Sequence, residues 1–247
     1  MTVLATPATF PFCRDQTYTF GELRSFEKHL LAARQSDPAL SKEWRVPSAS
    51  AAVRLAKIRE ETYPLMLLAD LKAYPNSSTF RLTPDGTPAI DAIVCNGSDS
   101  FQVQITIADP IWLDSTGQPS KGGYDHRLTM EALNKDGVVH GLAAMRREND
   151  GIVSDKPVKS FSEEFDACVR GMVGALNRKI SDVSVNARLL VHARGYSMHV
   201  IDFSLEEAVR AAIQQIGPAK VDGAYSAYYF VDEGERCFLE YAGAGVR

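Results

Sequence analysis

The stretch PAIDAIVCNGSDSFQVQITIADP, Pro88 to Pro110, contains two apolar segments on either side of the dipeptide Asn96-Gly97. Asn-Gly between two such segments is a strong signal for a β-hairpin, because both residues tolerate the positive φ angles of a tight turn. We therefore predict antiparallel strands near residues 88–95 and 101–108. The first of these strands carries a carboxylate, Asp91, among apolar neighbours, although aspartate is depleted in strands. That carboxylate needs an explanation.

The second strand, FQVQITI, alternates apolar and polar residues, so that Gln102, Gln104 and Thr106 lie on one face. The length of the hairpin loop decides whether Asp91 shares this face. A two-residue turn of Asn96 and Gly97 sets Asp91 opposite Gln102, and a four-residue loop over 96–99 sets it opposite Gln104. An odd length turns Asp91 to the other face. A half-exposed hairpin with a polar outer face is the simpler alternative.

Helical periodicity and capping residues predict the elements around this hairpin. Three helices have capping residues at their starts, namely Thr19 with Glu22, Ser162 and Ser204. A fourth helix runs from about residue 50, and Pro64 should kink or divide it. Further strands are expected in STFRLTP, VNARLLVHA, AYYFVD and CFLEYA, the last two forming a pair.

The length of 247 residues suits one large domain. We interpret residues 1–50 as an N-terminal helical extension and residues 51–247 as the core. The polar stretch at about 109–160, with a short helix in HRLTMEALNKDG, is interpreted as an insertion in that core. Hydrophobic residues at 45% and charged residues at 23% indicate an ordinary globular protein.

Charge and cysteine content exclude several classes of protein. With 27 Lys plus Arg against 31 Asp plus Glu, the net charge of -4 gives no general basic surface, so any nucleic-acid site must be a local patch. The N-terminus lacks the features of a signal peptide, and no apolar segment approaches the roughly 20 residues that span a bilayer. The four cysteines form no C-x-x-C pair, which favours reduced thiols in a cytoplasmic protein.

An acid on one strand and two polar groups two residues apart on the next is the arrangement of metal-dependent phosphodiesterases. On these residues the sequence resembles the PD-(D/E)xK nuclease superfamily, which has the restriction-endonuclease-like fold. The resemblance covers about residues 50–242 in element order. It implies a mixed central sheet with helices on both faces, Asp91 as the motif aspartate and Gln102-Val103-Gln104 at the acid-x-Lys position. An amide oxygen at Gln102 can still bind a hard cation, whereas Gln104 lacks the charge of the family's lysine.

The family also places an acid on the helix before the sheet, and a lysine could be supplied from elsewhere in this chain. Lys179 borders the apolar face of its helix and is the better candidate for that lysine, since Arg178 lies nearly opposite this face. Glu61 falls on the apolar stripe of the helix that runs from about residue 50, provided that Pro64 only kinks this helix, and would point inward. Glu27 on the first helix is the reserve choice for the helix acid.

Two function hypotheses follow from the resemblance. In the first, the chain is a Mg²⁺- or Mn²⁺-dependent nuclease in which Asp91, Glu61 and Gln102 hold the metal and Gln104 or Lys179 orients water. In the second, the chain keeps the fold, has lost the chemistry, and binds nucleic acid or a protein partner through the same cleft. The two glutamines and the acidic net charge favour the second hypothesis. Clustering of the two acids with the two amides would favour the first.

Overall fold

A computed structural model describes residues 12–36, 50–84, 90–113, 116–119, 145–148, 151–154, 161–181, 184–194, 204–232 and 237–242. Most of the predicted insertion, including the short helix expected in HRLTMEALNKDG, lies outside these residues. Among the described residues, no helix combines the length and the apolar character needed to cross a bilayer.

Two of the helices begin directly after the predicted capping residues Thr19 and Ser204, whereas the predicted cap Ser162 lies inside the helix over 161–180. The helices are α1 (Phe20–Ser36), α2 (Ser50–Leu71), α3 (Phe161–Ile180), α4 (Leu205–Ile216) and the short α5 (Pro218–Asp222). The Thr19 main-chain N–H donates to Glu22 Oε2 over 2.7 Å, and the Glu22 N–H donates to Thr19 Oγ1 over 3.1 Å. This reciprocal pair confirms the predicted capping box, and Ser204 forms a second one with Glu207. Pro64 lies inside α2 without dividing it.

The strands form one seven-stranded mixed sheet and a separate hairpin. They are β1 (Thr17–Thr19), β2 (Thr79–Leu82), β3 (Ala92–Asn96), β4 (Asp99–Ala108), β5 (Met145–Glu148), β6 (Gly151–Ser154), β7 (Ser184–Ala193), β8 (Tyr225–Asp232) and β9 (Cys237–Tyr241). The sheet order is β1-β2-β3-β4-β7-β8-β9, and β5 pairs with β6. Strands β4, β7 and β8 are parallel to one another, while the remaining neighbours in the large sheet are antiparallel. A mixed sheet between helices confirms the predicted α/β class.

Helices cover the two faces of the sheet to different extents. On one face, α1 and α2 pack over a continuous core that includes Leu23, Leu65, Val94, Val103 and Tyr229. On the other face, α3 and α4 pack over β7, β8 and the end of β4. Because β1 pairs with β2 and α1 shares a core with α2, residues 12–36 contribute directly to the same sheet and core as the later elements.

The β3–β4 hairpin turns at Gly97 and Ser98, with Gly97 at a φ of 61°. Its register pairs Asn96 with Asp99 and Ile93 with Gln102, which corresponds to the predicted alternative with a loop over 96–99. Continued by two residues, this register sets Asp91 opposite Gln104. The loop length is therefore even, as in the two alternatives that set Asp91 on the face of Gln102 and Gln104, although β3 begins at residue 92 and Asp91 precedes it in a bend.

Candidate functional site

Asp91 lies where β3 begins and completes the hydrogen bonding of β4. Strand β4 is ten residues long, but β3 pairs only with its first five residues, 99–103. The Asp91 N–H donates to the Val103 carbonyl over 2.9 Å, and Asp91 Oδ2 accepts from the Ile105 N–H over 2.6 Å. A carboxylate therefore serves as the acceptor for a main-chain N–H beyond the end of the neighbouring strand. This contact gives the carboxylate in the apolar segment a structural role.

Arg178 binds the same strand two residues further along. Its Nη2 donates to the Ile107 carbonyl oxygen over 3.1 Å. Residues 105 and 107 present their main-chain groups to the same side of a strand, so Arg178 and Asp91 contact the same side of β4. Sequence reasoning set Arg178 aside because it lies away from the apolar face of its helix. The signal that was missed is the length of an arginine side chain, which reaches the strand from an exposed helix position.

Glu61 is connected to Asp91 through two other residues. Arg14 Nη2 donates to Glu61 Oε1 over 2.6 Å, and Arg14 Nη1 donates to the Thr83 carbonyl over 2.9 Å. The Thr83 N–H in turn donates to the Asp91 main-chain carbonyl over 3.0 Å. The Arg14 and Glu61 side chains are only 17% and 14% exposed, so this is a largely buried ion pair. The structure thus brings the two predicted acids into one hydrogen-bonded network.

Gln104 lies under α3 and is only 4% exposed. The Tyr225 hydroxyl lies against Gln104 Oε1 and is also 2.9 Å from the main-chain carbonyl oxygen of Lys179. Tyr225 therefore joins two of the predicted site residues, Gln104 by its side chain and Lys179 by its main chain. The Lys179 side chain itself is half-exposed.

Glu27, the reserve acid, belongs to a different network between α1 and α2. It is 8% exposed, and its Oε2 accepts from Arg59 Nη2 over 3.1 Å. The Arg59 guanidinium stacks 4.4 Å from the ring centre of Tyr63, whose ring lies 5.7 Å from that of His192. Glu27 thus forms an ion pair with Arg59, as Glu61 does with Arg14.

Gln102 lies on a part of the sheet that we call the polar half-face. It comprises the side chains of Thr17, Thr19, Thr79, Arg81, Ile93, Cys95, Ser100 and Gln102, which the strand register places on one face of β1 to β4. Each of these residues is half-buried or exposed, whereas Phe80, Val94, Phe101 and Val103 on the opposite face are buried. This alternation agrees with the predicted hairpin that has a polar outer face.

The oxygen donors of Asp91, Glu61 and Gln102 are of the type that Mg²⁺ and Mn²⁺ prefer. Their arrangement, however, does not fit a cation held between them. Arg14 already supplies a positive charge to Glu61, and Asp91 Oδ2 accepts from Ile105. In the part of the chain that the structure describes, no group of three or more His, Cys, Asp and Glu residues could hold a metal ion.

Comparisons with known proteins identified no relative of this chain. No family model, no curated protein and no solved structure matches the chain.

Proposed function

We propose that the chain is a divergent restriction-endonuclease-like protein that binds nucleic acid through the surface around Asp91 and Gln102 without cleaving it. The order of α2, β2, β3, β4, α3 and β7 supports the fold, because the superfamily has a helix, three strands, a helix and a further strand. The positions of the predicted site residues support this fold as well. Asp91 precedes the second of these strands, and Gln102 and Gln104 lie on the third.

The ion pair between Arg14 and Glu61 is the observation that favours binding over cleavage. A guanidinium that donates to a largely buried carboxylate over 2.6 Å supplies the charge that a metal ion would otherwise provide. A cation that entered here would have to displace Arg14, and the displaced guanidinium would need another partner. Gln104, which replaces the family's lysine, is buried against Tyr225.

A second candidate function is Mg²⁺- or Mn²⁺-dependent nucleic-acid hydrolysis. One observation favours it: Glu61 and Asp91 belong to a single network through Arg14 and Thr83, so the two acids are near the same end of the sheet. This candidate requires the two carboxylates to approach each other when Arg14 moves away, because repulsion between them would then favour the binding of a divalent cation.

Thermal unfolding with and without millimolar Mn²⁺ or Mg²⁺ separates the two candidates. A metal that binds the folded chain stabilises it by RT ln(1 + [L]/Kd), about 2.7 kcal/mol at a hundred times Kd. We expect no such shift in the wild type, no cleavage of DNA or RNA, and measurable binding of at least one of them. The nuclease candidate instead requires a metal-dependent rise in Tm that Asp91→Asn abolishes.

Two further variants sharpen this experiment. Arg14→Gln removes the guanidinium from Glu61, so a metal-dependent shift seen only in this variant would show that Arg14 excludes the cation. Asp15→Asn alters an exposed carboxylate that pairs with Arg81 and controls for unspecific metal binding. A wild type that binds neither DNA nor RNA would overturn the proposal and leave a protein partner as the remaining alternative.

A further inference from the structure

Three basic side chains of α3 have no carboxylate partner among the residues that the structure describes. In the parts of the chain that the structure describes, Arg170, Arg178 and Lys179 make no ion pair. Other arginines of the sheet region do have carboxylate partners, for example Arg188 with Asp99. Two of these cations, Arg178 and Lys179, lie in the last turn of α3, on a protein whose net charge is -4.

Main-chain carbonyls hold two of these side chains in place. Arg170 Nε donates to the Ile111 carbonyl over 3.0 Å, and Arg178 Nη2 donates to the Ile107 carbonyl over 3.1 Å. A carbonyl fixes the position of a guanidinium without cancelling its charge, and each guanidinium has five N–H donors in total. The remaining donors stay available to a ligand, as in sites where arginine recognises phosphate.

The two arginines lie on one stripe of the helix with a glycine between them. Positions 170, 174 and 178 recur every four residues, which places them on the same face. A Cβ added to Gly174 would lie 3.4 Å from Ile111 Cδ1 and 3.7 Å from Arg178 Nη1. Ile111, which follows the end of β4, and the Arg178 guanidinium therefore both lie close to Gly174 of α3.

The Arg178 end of this stripe reaches the strand that also carries Gln102 of the polar half-face, at a position five residues further along. Arg178 contacts the side of β4 that Asp91 also contacts, which is the side of β3. The polar half-face begins at Gln102 on the same strand and continues across β3 to β1. It carries hydroxyl, amide and guanidinium groups that can form hydrogen bonds, and its one arginine, Arg81, is already paired with Asp15.

We infer that Arg170, Arg178 and Lys179 bind the phosphate backbone of a nucleic-acid strand that lies along the polar half-face. This inference rests on the proposed function and identifies the residues that hold the nucleic-acid strand. Phosphates are the anions that arginine binds with several hydrogen bonds at once, and a polyanion can contact cations at several positions along α3, which a single carboxylate cannot do. Cations in the last turn of a helix also stabilise the helix itself, so the test must report on binding and not on stability alone.

The test measures fluorescence anisotropy of labelled single-stranded DNA, the same sequence as a duplex, and the corresponding RNA, each over a series of salt concentrations. For a contact with one phosphate, the slope of log K against log salt changes by about 0.9 on a duplex and about 0.7 on a single strand. We expect Arg178→Gln and Arg170→Gln each to weaken binding and to flatten the slope by about this amount. The double variant should flatten it by about twice as much.

Arg210→Gln is the matched control, because it removes the same charge from an exposed position on α4 where Arg210 pairs with Glu206. It should leave affinity and slope unchanged. Among the described residues the Lys179 side chain makes no hydrogen bond that Lys179→Gln could remove, so this variant should flatten the slope even if the arginine variants fold poorly. Binding that the double variant and Lys179→Gln leave intact would overturn this inference while the proposed function stands. A wild type that binds no nucleic acid would overturn both.

Discussion

Asp91 and Arg178 bind main-chain groups of β4 that are two residues apart, one as an acceptor and the other as a donor. Asp91 Oδ2 accepts from the Ile105 N–H over 2.6 Å, and Arg178 Nη2 donates to the Ile107 carbonyl over 3.1 Å. Both contacts lie beyond the five residues of β4 that pair with β3. The two side chains therefore form hydrogen bonds with main-chain groups of β4 that a longer β3 would have bonded. Beyond residue 103 this side of β4 has no pairing with β3, so its main-chain groups need other partners.

Replacing Asp91 by alanine should lower the free energy of unfolding by about 1.5–3 kcal/mol, because the Ile105 N–H loses a charge-assisted hydrogen bond. Asp91→Asn should cost less, since an amide oxygen can still accept from that N–H. Urea denaturation measures both values. Asp15→Ala removes a carboxylate that is 61% exposed and paired with Arg81, so its cost should stay within about 0–1 kcal/mol. Equal effects of Asp91→Ala and Asp15→Ala would contradict the role given to Asp91.

The Tyr225 hydroxyl should couple energetically to Gln104. Tyr225→Phe removes a hydrogen-bond partner from an amide that is 4% exposed, which should cost about 1–3 kcal/mol. Adding Gln104→Leu should cost less in the Tyr225→Phe background than in the wild type, because two apolar groups leave no buried amide to satisfy. Chemical denaturation of the two single variants and the double variant gives this coupling. Strictly additive effects would show that the hydroxyl and the amide do not depend on each other.

Much of the fold could be predicted from local sequence signals. The hairpin between the two apolar segments, the alternation of FQVQITI and the capping box at Thr19 each act over a few residues, and the structure confirms them, although the turn falls at Gly97 and Ser98 and not at Asn96 and Gly97. Strand β1 was not predicted, because its three residues show no clear alternation and directly precede the first residue of α1. The β5–β6 hairpin was also missed, since the predicted insertion was interpreted by its polar composition alone.

The contacts of the site could not be predicted, because they join residues that are distant in sequence. The Asp91 carboxylate accepts from the Ile105 N–H because β4 continues past the end of β3. The lengths of two paired strands do not follow from either segment alone. Arg14 is 47 residues from Glu61 and was not considered as its partner. Sequence periodicity identified the helix face on which Glu61 lies but did not identify the residue opposite it.

The pair of Arg14 and Glu61 should show a larger coupling energy than an exposed pair of the same type. Its side chains are 17% and 14% exposed, so solvent screens their attraction less than at the surface. We expect a coupling of about 1–3 kcal/mol in a cycle of Arg14→Met, Glu61→Gln and the double variant. The reference is Arg210 with Glu206, at 54% and 45% exposure, where about 0.3–0.5 kcal/mol is typical. A coupling at Arg14 that matches the reference, and that salt weakens equally, would show that burial adds nothing to this pair.

Tyr229 should make the stability of the fold depend on alkaline pH. Burial raises the pKa of Tyr229 to about 12, although the charge of Arg188 and its hydrogen bond to the hydroxyl oxygen act in the opposite direction. An unfolded tyrosine has a pKa near 10. Because the folded state holds the proton more tightly, this contribution is complete below about pH 10 and is lost as pH rises from 10 to 12.

Tyr229→Phe tests this dependence, since phenylalanine keeps the ring and has no proton to lose. The variant also gives up the hydrogen bond from Arg188, so its stability should be compared with its own value at pH 8 and not with that of the wild type. Denaturation curves between pH 8 and 12 should show a shallower loss for the variant, by an amount on the order of 2 kcal/mol at the upper end. Tyr241, whose pKa burial also raises to about 12, still titrates in both proteins and accounts for part of the remaining slope. If the wild type and Tyr229→Phe lose stability in parallel over this range, Tyr229 ionises as easily in the folded chain as in the unfolded one, and its position between Arg188 and the core has no effect on its proton.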